Sequence, residues 1–525
     1  MELAIKAAGD NGRIQKIIIF VVIATASLTL VLSASFAYLT KTPEFLCRRH
    51  NDFNPSFQSC VFSSSLCAST KFDIQKDRDK SVYNFAYSFD LFCNKAFYVP
   101  MLSTVFFFGG ILGCVMLNSI PDKYGRKNIF KILVFLSCLL QLNLFLTIGP
   151  VHLVIVHFLS GFSSFAYGMS SVIVSEYSPR NIAGIVMSVV NAVYPLTGIV
   201  VGFYFMFINN WRLLFFLTSV LNTVVTLFTL KYFVESPRWL NSQKKTDECL
   251  ETLRSIAETN GRVKEWEEFL ATNKNALLND GPKQNSNSAK NYSLIQIIGF
   301  KSQRTNFIFN SFLWLSGGFC FYGIILNLGH MGGDFFADSI LAFTGEITSE
   351  LSSGWMAEIF GRVFVMQSGA FLGATCFLVY ISTPVTYFWM RSFFIFFATF
   401  GYAALFNVVF IYTPELFPTP IRGTVCGFSY LISRLGAMIV SPLTEAFGPS
   451  KANFIFILFG YLMGVCCFYM EETLGKEIQD EIPEATGNTS FVVSGTFKSS
   501  DVKYDVVVSD PNLDKNLSYS KYFNK

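Results

Sequence analysis

The sequence has little charge and lacks the motifs of ATP-driven machines and zinc enzymes. Only 14% of its 525 residues are charged, against 52% hydrophobic residues, which excludes an ordinary soluble domain. It has no Gly-x-x-x-x-Gly-Lys-Ser/Thr loop, so its work is not driven by its own ATP hydrolysis. No cysteines and histidines have the spacing of a zinc site. We therefore expect a membrane protein that is not an enzyme, with no catalytic residue, metal or other cofactor.

Long apolar runs are what the sequence has in abundance. Runs near or above the roughly 18 residues that span a bilayer begin near positions 17, 99, 129, 152, 182, 213, 306, 335, 364, 389, 424 and 453. Backbone polar groups cannot stay unpaired in lipid, so each run should form a helix. The sequence predicts an all-α membrane protein with twelve transmembrane helices.

Three short polar motifs occur twice, at offsets of 236 to 239 residues. The pairs are DKYGRK (122–127) with EIFGR (358–362), Glu176-x-x-Pro with Glu415-x-x-Pro, and Glu235-Ser236 with Glu471-Glu472. A nearly constant offset indicates a duplicated membrane unit. We expect two pseudo-symmetric six-helix halves side by side, the arrangement that transporters use for alternating access.

Basic residues in short loops predict the orientation, because they are retained on the cytoplasmic side during insertion. They precede the first helix and follow the second, so both termini should be cytoplasmic. The predicted organisation is a cytoplasmic N-terminus (1–16), an N-terminal half (17–240) with an extracellular loop at about 41–97, a cytoplasmic linker with short helices (241–304), a C-terminal half (305–474) and a disordered cytoplasmic tail (475–525).

The predicted extracellular loop contains four cysteines, Cys47, Cys60, Cys67 and Cys93. In an oxidising compartment four cysteines favour two disulfides, and three pairings are open. Free thiols are the alternative.

Four further segments resemble the signatures of the organic cation, organic anion and carnitine transporter family of the major facilitator superfamily. They are SFDLFC (88–93), PDKYGRK (121–127), ESPRWL (235–240) and YTPELFPTPIRG (412–423), and the resemblance covers about residues 10–475. ESPRWL and PELFPT also fit sugar porters. The cysteine-containing loop and SFDLFC are therefore the features that distinguish the organic-ion family from sugar porters. The resemblance implies the major facilitator fold, a plasma-membrane location, a small organic ion as substrate, no nucleic-acid partner and a monomer in the lipid bilayer.

The repeated polar motifs are predicted to form a gate. Charged side chains at these cytoplasmic helix junctions are expected to pair across the two halves in the outward-facing state and to separate on inward opening. The alternative is that the basic residues only fix the topology. Asn118 stands where the family usually has a small glycine, which makes close packing of helix 2 less certain. The predicted gating residues are Asp122, Gly125, Arg126, Lys127, Glu176, Glu235, Arg238, Glu358, Arg362, Glu415 and Arg422.

Three charges deep in the second half are the predicted substrate-binding residues. Glu346 and Glu350 share one face of helix 8, and Arg434 lies near the middle of helix 11. Each buried charge costs roughly 2.5–3.5 kcal/mol on insertion scales, so the three should face an aqueous cavity, pair with each other or, for one carboxylate, carry a proton.

The resemblance implies that Arg434 binds a substrate carboxylate, as in the anion and carnitine branch. Glu350 stands where anion transporters carry lysine, so a carnitine- or betaine-like zwitterion would satisfy both signs of charge. A structural Glu350–Arg434 pair without substrate contact is the alternative.

A histidine and several aromatic residues are weaker candidates. His157 occupies a helix 4 position where the family usually has arginine; it is a candidate for proton coupling, and a simple hydrogen-bonded histidine is the alternative. Tyr322, in the aromatic patch of helix 7, is the aromatic residue predicted to contact substrate. Further candidates for the cavity lining are Tyr194, Trp314, Phe319, Phe321, Phe406 and Tyr430.

Two other functions compete with the organic-ion transporter. One is a sugar porter of the same fold. The other is a receptor or scaffold that keeps the fold without transporting, which Asn118, His157 and Glu350 make reasonable.

Overall fold

The computed structural model describes residues 2–9, 12–49, 57–60, 72–118, 120–178, 180–279 and 294–476. Within these ranges twelve long helices form two sets of six. The first set is α1 (Arg13–Ala34), α2 (Tyr98–Leu117), α3 (Arg126–Phe145), α4 (two segments, Pro150–Ser163 and Phe165–Tyr177), α5 (Arg180–Phe207) and α6 (Trp211–Tyr232). The second set is α7 (Lys301–Asn327), α8 (Phe335–Phe360), α9 (Arg362–Ser382), α10 (Phe388–Leu416), α11 (Thr419–Phe447) and α12 (Pro449–Cys467).

The helices confirm the predicted fold class. Eleven of the described helices or helical runs are long and apolar enough to cross a membrane. The twelfth is α8, 26 residues long, whose carboxylates lower its hydropathy. The resemblance to the major facilitator fold follows from the six-plus-six order.

Shorter elements mark the two ends of the molecule. At one end, which we call the sheet end, β1 (Phe45–Arg49) pairs antiparallel with both β2 (Gln58–Cys60) and β3 (Phe72–Lys76). At the other, the linker end, lie the helices Glu2–Ala8, Ile120–Tyr124, Pro237–Ser242, Thr246–Asn260, Val263–Asn279 and Leu294–Gly299. Phe36–Leu39, Phe85–Ser88, Cys93–Lys95 and Leu328–His330 are short helical turns.

Cysteines of the predicted extracellular loop are oxidised. Cys47 of β1 and Cys60 of β2 form a disulfide. Cys93 is also disulfide-bonded. Cys67 lies outside the described residues, as do residues 280–293 of the linker and 477–525 of the predicted tail.

The two halves meet at the sheet end. The Tyr38 ring, just after α1, lies 5.1 Å from the ring of Phe335 at the start of α8. Ser103 of α2 and Ser441 of α11 are joined by a 2.6 Å hydrogen bond between their hydroxyl groups. The Tyr194 ring of α5 lies 6.1 Å from Phe343 of α8. These contacts close the sheet end of the interface.

At the linker end the apolar clusters are separate. One consists of residues from the N-terminal half and the first linker helices, including Ala4, Leu253 and Trp266. Another, with Ile297 and Phe417 among its members, belongs to the C-terminal half. Asn118 lies against Gly427 of α11, so α2 and α11 do approach each other there. The molecule is therefore closed at the sheet end, while the apolar cores of the two halves are divided at the linker end.

One side chain joins the start of the chain to the linker helices. The Asn260 amide donates hydrogen bonds to the carbonyl oxygens of Ala8 (3.1 Å) and Gly9 (3.0 Å) and to Oε1 of Gln15 (3.1 Å). Its oxygen accepts from the backbone N–H of Ile14 at 3.1 Å. The segment before α1 and the helix Thr246–Asn260 are thus fixed together.

Candidate functional site

The first charged motif is organised around Arg126, the first residue of α3. Gly125 precedes it at φ 97°, a left-handed conformation that favours glycine. Arg126 Nε lies 3.1 Å from Glu176 Oε1, and its Nη2 lies 2.9 Å from Asp122 Oδ1. Its Nη1 donates to the Pro121 carbonyl oxygen at 3.1 Å. One guanidinium therefore ties α3 to α4 and to the turn after α2.

Glu235 caps the same helix. Its carboxylate accepts hydrogen bonds from the backbone N–H groups of Arg126 (2.9 Å), Lys127 (3.2 Å) and Ser236 (3.1 Å). The first N–H groups of a helix have no partner within it, and they carry the positive end of its dipole. The Glu235 carboxylate accepts hydrogen bonds from these N–H groups, and its negative charge interacts favourably with the positive end of the dipole.

The second half repeats this arrangement around Arg362. Gly361 has φ 98°. Arg362 Nε lies 3.1 Å from Glu415 Oε2, and its Nη2 lies 2.8 Å from Glu358 Oε1. Its Nη1 donates to the Ala357 carbonyl oxygen at 3.1 Å. The duplicated motif therefore folds into the same set of contacts twice.

The cap of α9 corrects one pairing made from the sequence. Glu472, not Glu471, accepts from the backbone N–H groups of Arg362 (2.9 Å) and Val363 (3.0 Å). It also accepts from Thr473 and Leu474, each at 3.0 Å. The counterpart of Glu235 therefore lies one position later than the 236-residue offset indicates, and the sequence pairing was wrong by one residue.

These contacts change the acidity of Glu472. Partial burial raises its pKa, but the backbone N–H groups of Leu474, Arg362, Val363 and Thr473 together hold the pKa below its ordinary value. Hydrogen bonds to the charged form stabilise the carboxylate. Glu472 is thus an ionised cap at neutral pH.

In each motif the described ion pairs join residues of the same half. Arg126 pairs in the N-terminal half, and Arg362 pairs in the C-terminal half. Arg238 lies in the helix Pro237–Ser242, and Arg422 Nε donates to the Phe417 carbonyl oxygen at 3.3 Å. Pairing across the halves, expected for the outward-facing state, stays a prediction.

Arg434 lies near the middle of α11, half-buried where the two halves face each other. It donates a hydrogen bond to the Tyr430 hydroxyl and its guanidinium lies 5.0 Å from the centre of that ring. The Tyr322 hydroxyl of α7 also interacts with it. Arg434 and Tyr322, both predicted to bind substrate, are therefore brought together.

Glu346 and Glu350 lie one turn apart on α8. Glu346 is only 4% exposed, and Glu350 is half-buried. Oε2 of each has no hydrogen-bond partner. Among the described residues, no ion pair within 4.0 Å joins either carboxylate to Arg434. The alternative of a structural Glu350–Arg434 pair is wrong for this conformation.

The N-terminal half contributes tyrosine hydroxyls to the same space. Tyr167 of α4 interacts electrostatically with Glu350 and Arg434, and Tyr194 of α5 with Glu346 and Arg434. The candidate site is therefore a cluster of side chains from both halves, with both signs of charge on α8 and α11 of the C-terminal half and tyrosine hydroxyls from the N-terminal half.

The remaining aromatic candidates divide into two groups. Phe406 lies 5.7 Å from Trp314 and 6.1 Å from Phe321, measured between ring centroids. Phe321 in turn lies 5.1 Å from Tyr322, which interacts with Arg434. Phe319 instead packs against Phe456 of α12 at 4.8 Å, inside the C-terminal half. Phe319 is thus a core residue, and the prediction that it lines the cavity was wrong, because helix periodicity alone does not reveal which face meets α12.

His157 lies apart from this cluster in the core of the N-terminal half. Its side chain is fully buried, and its Nδ1 lies 2.7 Å from the Leu153 carbonyl oxygen. Its ring centroid is 5.9 Å from Phe36 and 5.7 Å from Phe85. These contacts favour the hydrogen-bonded histidine over proton coupling.

The sequence interpretation missed two further buried charges, Asp338 and Arg391, which both contact Tyr380. Asp338 of α8 accepts a 2.8 Å hydrogen bond from the Tyr380 hydroxyl, and Arg391 of α10 lies 4.2 Å from the centre of the Tyr380 ring. Arg391 also donates to the carbonyl oxygens of Thr383 (2.9 Å) and Met331 (2.9 Å). Charges inside apolar helices were the available signal. Tyr380 of α9 therefore contacts buried charges of both α8 and α10 at the sheet end of the C-terminal half.

Comparisons with known proteins agree with this architecture. "Organic cation/carnitine transporter 4" of Arabidopsis thaliana is 25% identical over 397 residues, which cover 74% of each chain. "Organic anion transporter 3" of Oryctolagus cuniculus is 26% identical over 403 residues, or 75% of this chain and 73% of the relative. "Organic cation/carnitine transporter 2" of Mus musculus is 25% identical over 420 residues, or 78% and 72%.

Solved structures show the same fold. The inward-open conformation of the xylose transporter XylE from E. coli has a TM-score of 0.59 at 15% identity, covering 90% of this chain and 98% of that one. Its partially occluded inward-open conformation has a TM-score of 0.54, covering 87% and 99%.

Two repeated six-helix halves that share a cluster of charged and tyrosine side chains define a membrane transporter of the major facilitator superfamily. The model of the family described as "Sugar (and other) transporter" matches residues 61–481. The chain belongs to that family. The resemblance to organic cation, organic anion and carnitine transporters is confirmed by its relatives.

Proposed function

We propose that this transporter carries small organic ions by alternating access and that its preferred substrate is a zwitterion of the carnitine or betaine type. One observation supports the charge preference. Arg434 and Glu350 both interact with Tyr167 and are half-buried, yet among the described residues no ion pair joins them. Each charge is thus left for a partner that enters from solution.

The physical chemistry of the two groups favours this choice. A guanidinium binds a carboxylate through two parallel hydrogen bonds. A quaternary ammonium group is attracted by a carboxylate and by the faces of tyrosine rings, of which Tyr322 and Tyr430 are close to Arg434. A substrate with only a negative charge would be attracted by Arg434 but repelled by the two carboxylates. A substrate with only a positive charge would be attracted by the carboxylates but repelled by Arg434.

The relatives named for organic cation, carnitine and organic anion transport support the same substrate class over a sugar. We place the protein in the plasma membrane as a monomer, with the disulfide-bonded sheet end outside, because disulfides persist in oxidising compartments. Both termini are then cytoplasmic, and the structure is an inward-facing state. The two charged motifs lie at its cytoplasmic end, where a gate must act.

Uptake by cells that express the chain tests the proposal. Labelled L-carnitine, tetraethylammonium, p-aminohippurate and glucose are compared for wild type, Arg434→Ala, Arg434→Lys and Glu350→Gln at matched surface expression. We expect L-carnitine uptake that Arg434→Ala abolishes. Arg434→Lys should retain part of it, because lysine keeps the positive charge but cannot donate two parallel hydrogen bonds to a carboxylate. Glucose uptake that is insensitive to Arg434→Ala would support the sugar porter, and no uptake of any probe the non-transporting receptor.

A further inference from the structure

Glu346 is the most enclosed of the three charged residues of the cluster. Its side chain is 4% exposed, whereas Glu350 and Arg434 are half-buried. Its Oε2 has no hydrogen-bond partner. No lysine, arginine or histidine of the described residues lies within ion-pair distance of it. An ionised carboxylate in this position would be desolvated without compensation.

The surrounding helices do not supply that compensation. The titratable groups that interact with Glu346 or Glu350 are the other carboxylate of the pair on α8, Tyr194 on α5, Tyr167 on α4 and Tyr322 on α7. Tyr430 and Arg434 of α11 interact with Tyr167 and Tyr322. From α10, Asn407 donates to the Glu350 backbone carbonyl at 3.5 Å and to the Ser353 hydroxyl at 2.8 Å. Arg434 is engaged by Tyr430 rather than by the carboxylates.

Two carboxylates one helical turn apart repel each other when both are ionised. Sharing one proton removes the repulsion. The proton favours the more enclosed site, Glu346, because burial penalises charge most there. When one proton is shared in this way, the negative charge of the pair lies on Glu350, whose side chain is half-buried.

We propose that Glu346 holds a proton while no substrate is bound and releases it when a cationic group binds at Glu350, so that the transporter exchanges substrate for protons. This inference rests on the proposed function, in which Glu350 receives the ammonium group. The bound cation neutralises Glu350 and places a positive charge near Glu346, which removes the repulsion and compensates the Glu346 carboxylate for the cost of its burial. The proton leaves Oε2 for water, and on the opposite side a proton from water replaces the departing substrate.

Linkage sets the direction of the exchange. A proton and a cation that compete for one pair of carboxylates weaken each other's binding. Because of this negative coupling, binding of one ligand favours dissociation of the other. The proton and the substrate are then carried in opposite directions, which is antiport. Tyr194 belongs to the opposite half, so protonation at Glu346 also changes a contact between the two moving parts.

Infrared difference spectroscopy of the purified protein tests the proton site without any substrate. The measured band is the carbonyl stretch of a protonated carboxylic acid at pH 7. We expect this band in wild type, its loss in Glu346→Gln and its retention in Asp338→Asn, a control carboxylate on the same helix that already has a Tyr380 partner. If Glu346→Gln does not fold, Glu346→Asp should shift the band. A wild type without the band, or a band that Glu346→Gln leaves unchanged, would overturn the proposal.

A second measurement tests the exchange. L-carnitine is added to weakly buffered protein with a pH dye, and we expect release of about one proton for each molecule bound, absent in Glu346→Gln. L-carnitine that binds without proton release would overturn the exchange. If the infrared band is present but neither L-carnitine nor tetraethylammonium binds, the proposed function is contradicted and the proton site is not.

Discussion

Glu472→Gln should destabilise the protein far more than the same change at the adjacent Glu471. The Glu472 carboxylate accepts four backbone hydrogen bonds of 2.9–3.0 Å around the start of α9. Glu471 instead pairs with Lys476 at 3.1 Å, and its side chain is 72% exposed. The two variants differ by one position and remove the same charge.

The magnitude follows from these contacts. The single amide oxygen of glutamine can accept two of the four hydrogen bonds, and each lost bond costs about 1 kcal/mol. Loss of the negative charge at the helix N-terminus adds about 0.3–1 kcal/mol. We therefore expect Glu472→Gln to lower the free energy of unfolding by about 2–3 kcal/mol. Glu471→Gln should cost about 0.2–1 kcal/mol.

The stability of wild type and the two variants is compared by heating each detergent-solubilised protein. The fraction that still elutes as a single species is measured at each temperature, which gives a midpoint of thermal unfolding. A clearly lower midpoint for Glu472→Gln, with Glu471→Gln close to wild type, is the expected result. Equal midpoints would refute the capping role of Glu472 and restore the pairing at the constant 236-residue offset.

The pH dependence of this difference gives an independent check. The pKa of Glu472 is lowered in the folded state, so its contribution to stability is complete above the unfolded value of about 4.3. The contribution is lost as the pH falls through the lowered folded pKa. The stability difference between wild type and Glu472→Gln should be constant near neutral pH and shrink in acid.

Two further predictions concern the ends of the molecule. Asn260→Ala removes one accepted hydrogen bond and an amide whose two hydrogens are shared among three acceptors, so it should lower the free energy of unfolding by roughly 2–4 kcal/mol. Asn241→Ala, in the helix Pro237–Ser242, should not do so in the same heating assay. Tyr38→Ala removes ring contacts with Phe205 and Phe335, each worth about 0.5–1.5 kcal/mol, and should favour opening at the sheet end. An impermeant thiol reagent should then label a Ser441→Cys protein several-fold faster, an effect that Tyr38→Phe should not reproduce.

The apolar runs were sufficient to predict the twelve helices, but not their first turns. The run expected near position 17 begins as a helix at Arg13, and that expected near 424 begins at Thr419. In both cases polar residues extend the helix beyond the apolar run into the interfacial region. Where the apolar run and helix start coincide, as at Phe335, the prediction was correct to the residue.

The candidate site was harder to predict because its pairings depend on tertiary packing. The sequence showed that Glu346, Glu350 and Arg434 are buried charges, but not that Arg434 would be engaged by Tyr430. His157 has one carbonyl partner and two ring neighbours, which come from three separate segments. Single-helix periodicity contains no information about such neighbours.

Arg434 and Glu350 are proposed to bind the two charges of one zwitterion. Proteoliposomes containing wild type, Arg434→Gln or Glu350→Gln are compared for uptake of labelled L-carnitine and its methyl ester, which lacks the carboxylate. We expect wild type to prefer L-carnitine, Arg434→Gln to lose this preference, and Glu350→Gln to lose uptake of both. Undiminished preference for L-carnitine in Arg434→Gln, with the protein correctly inserted, would contradict the proposal.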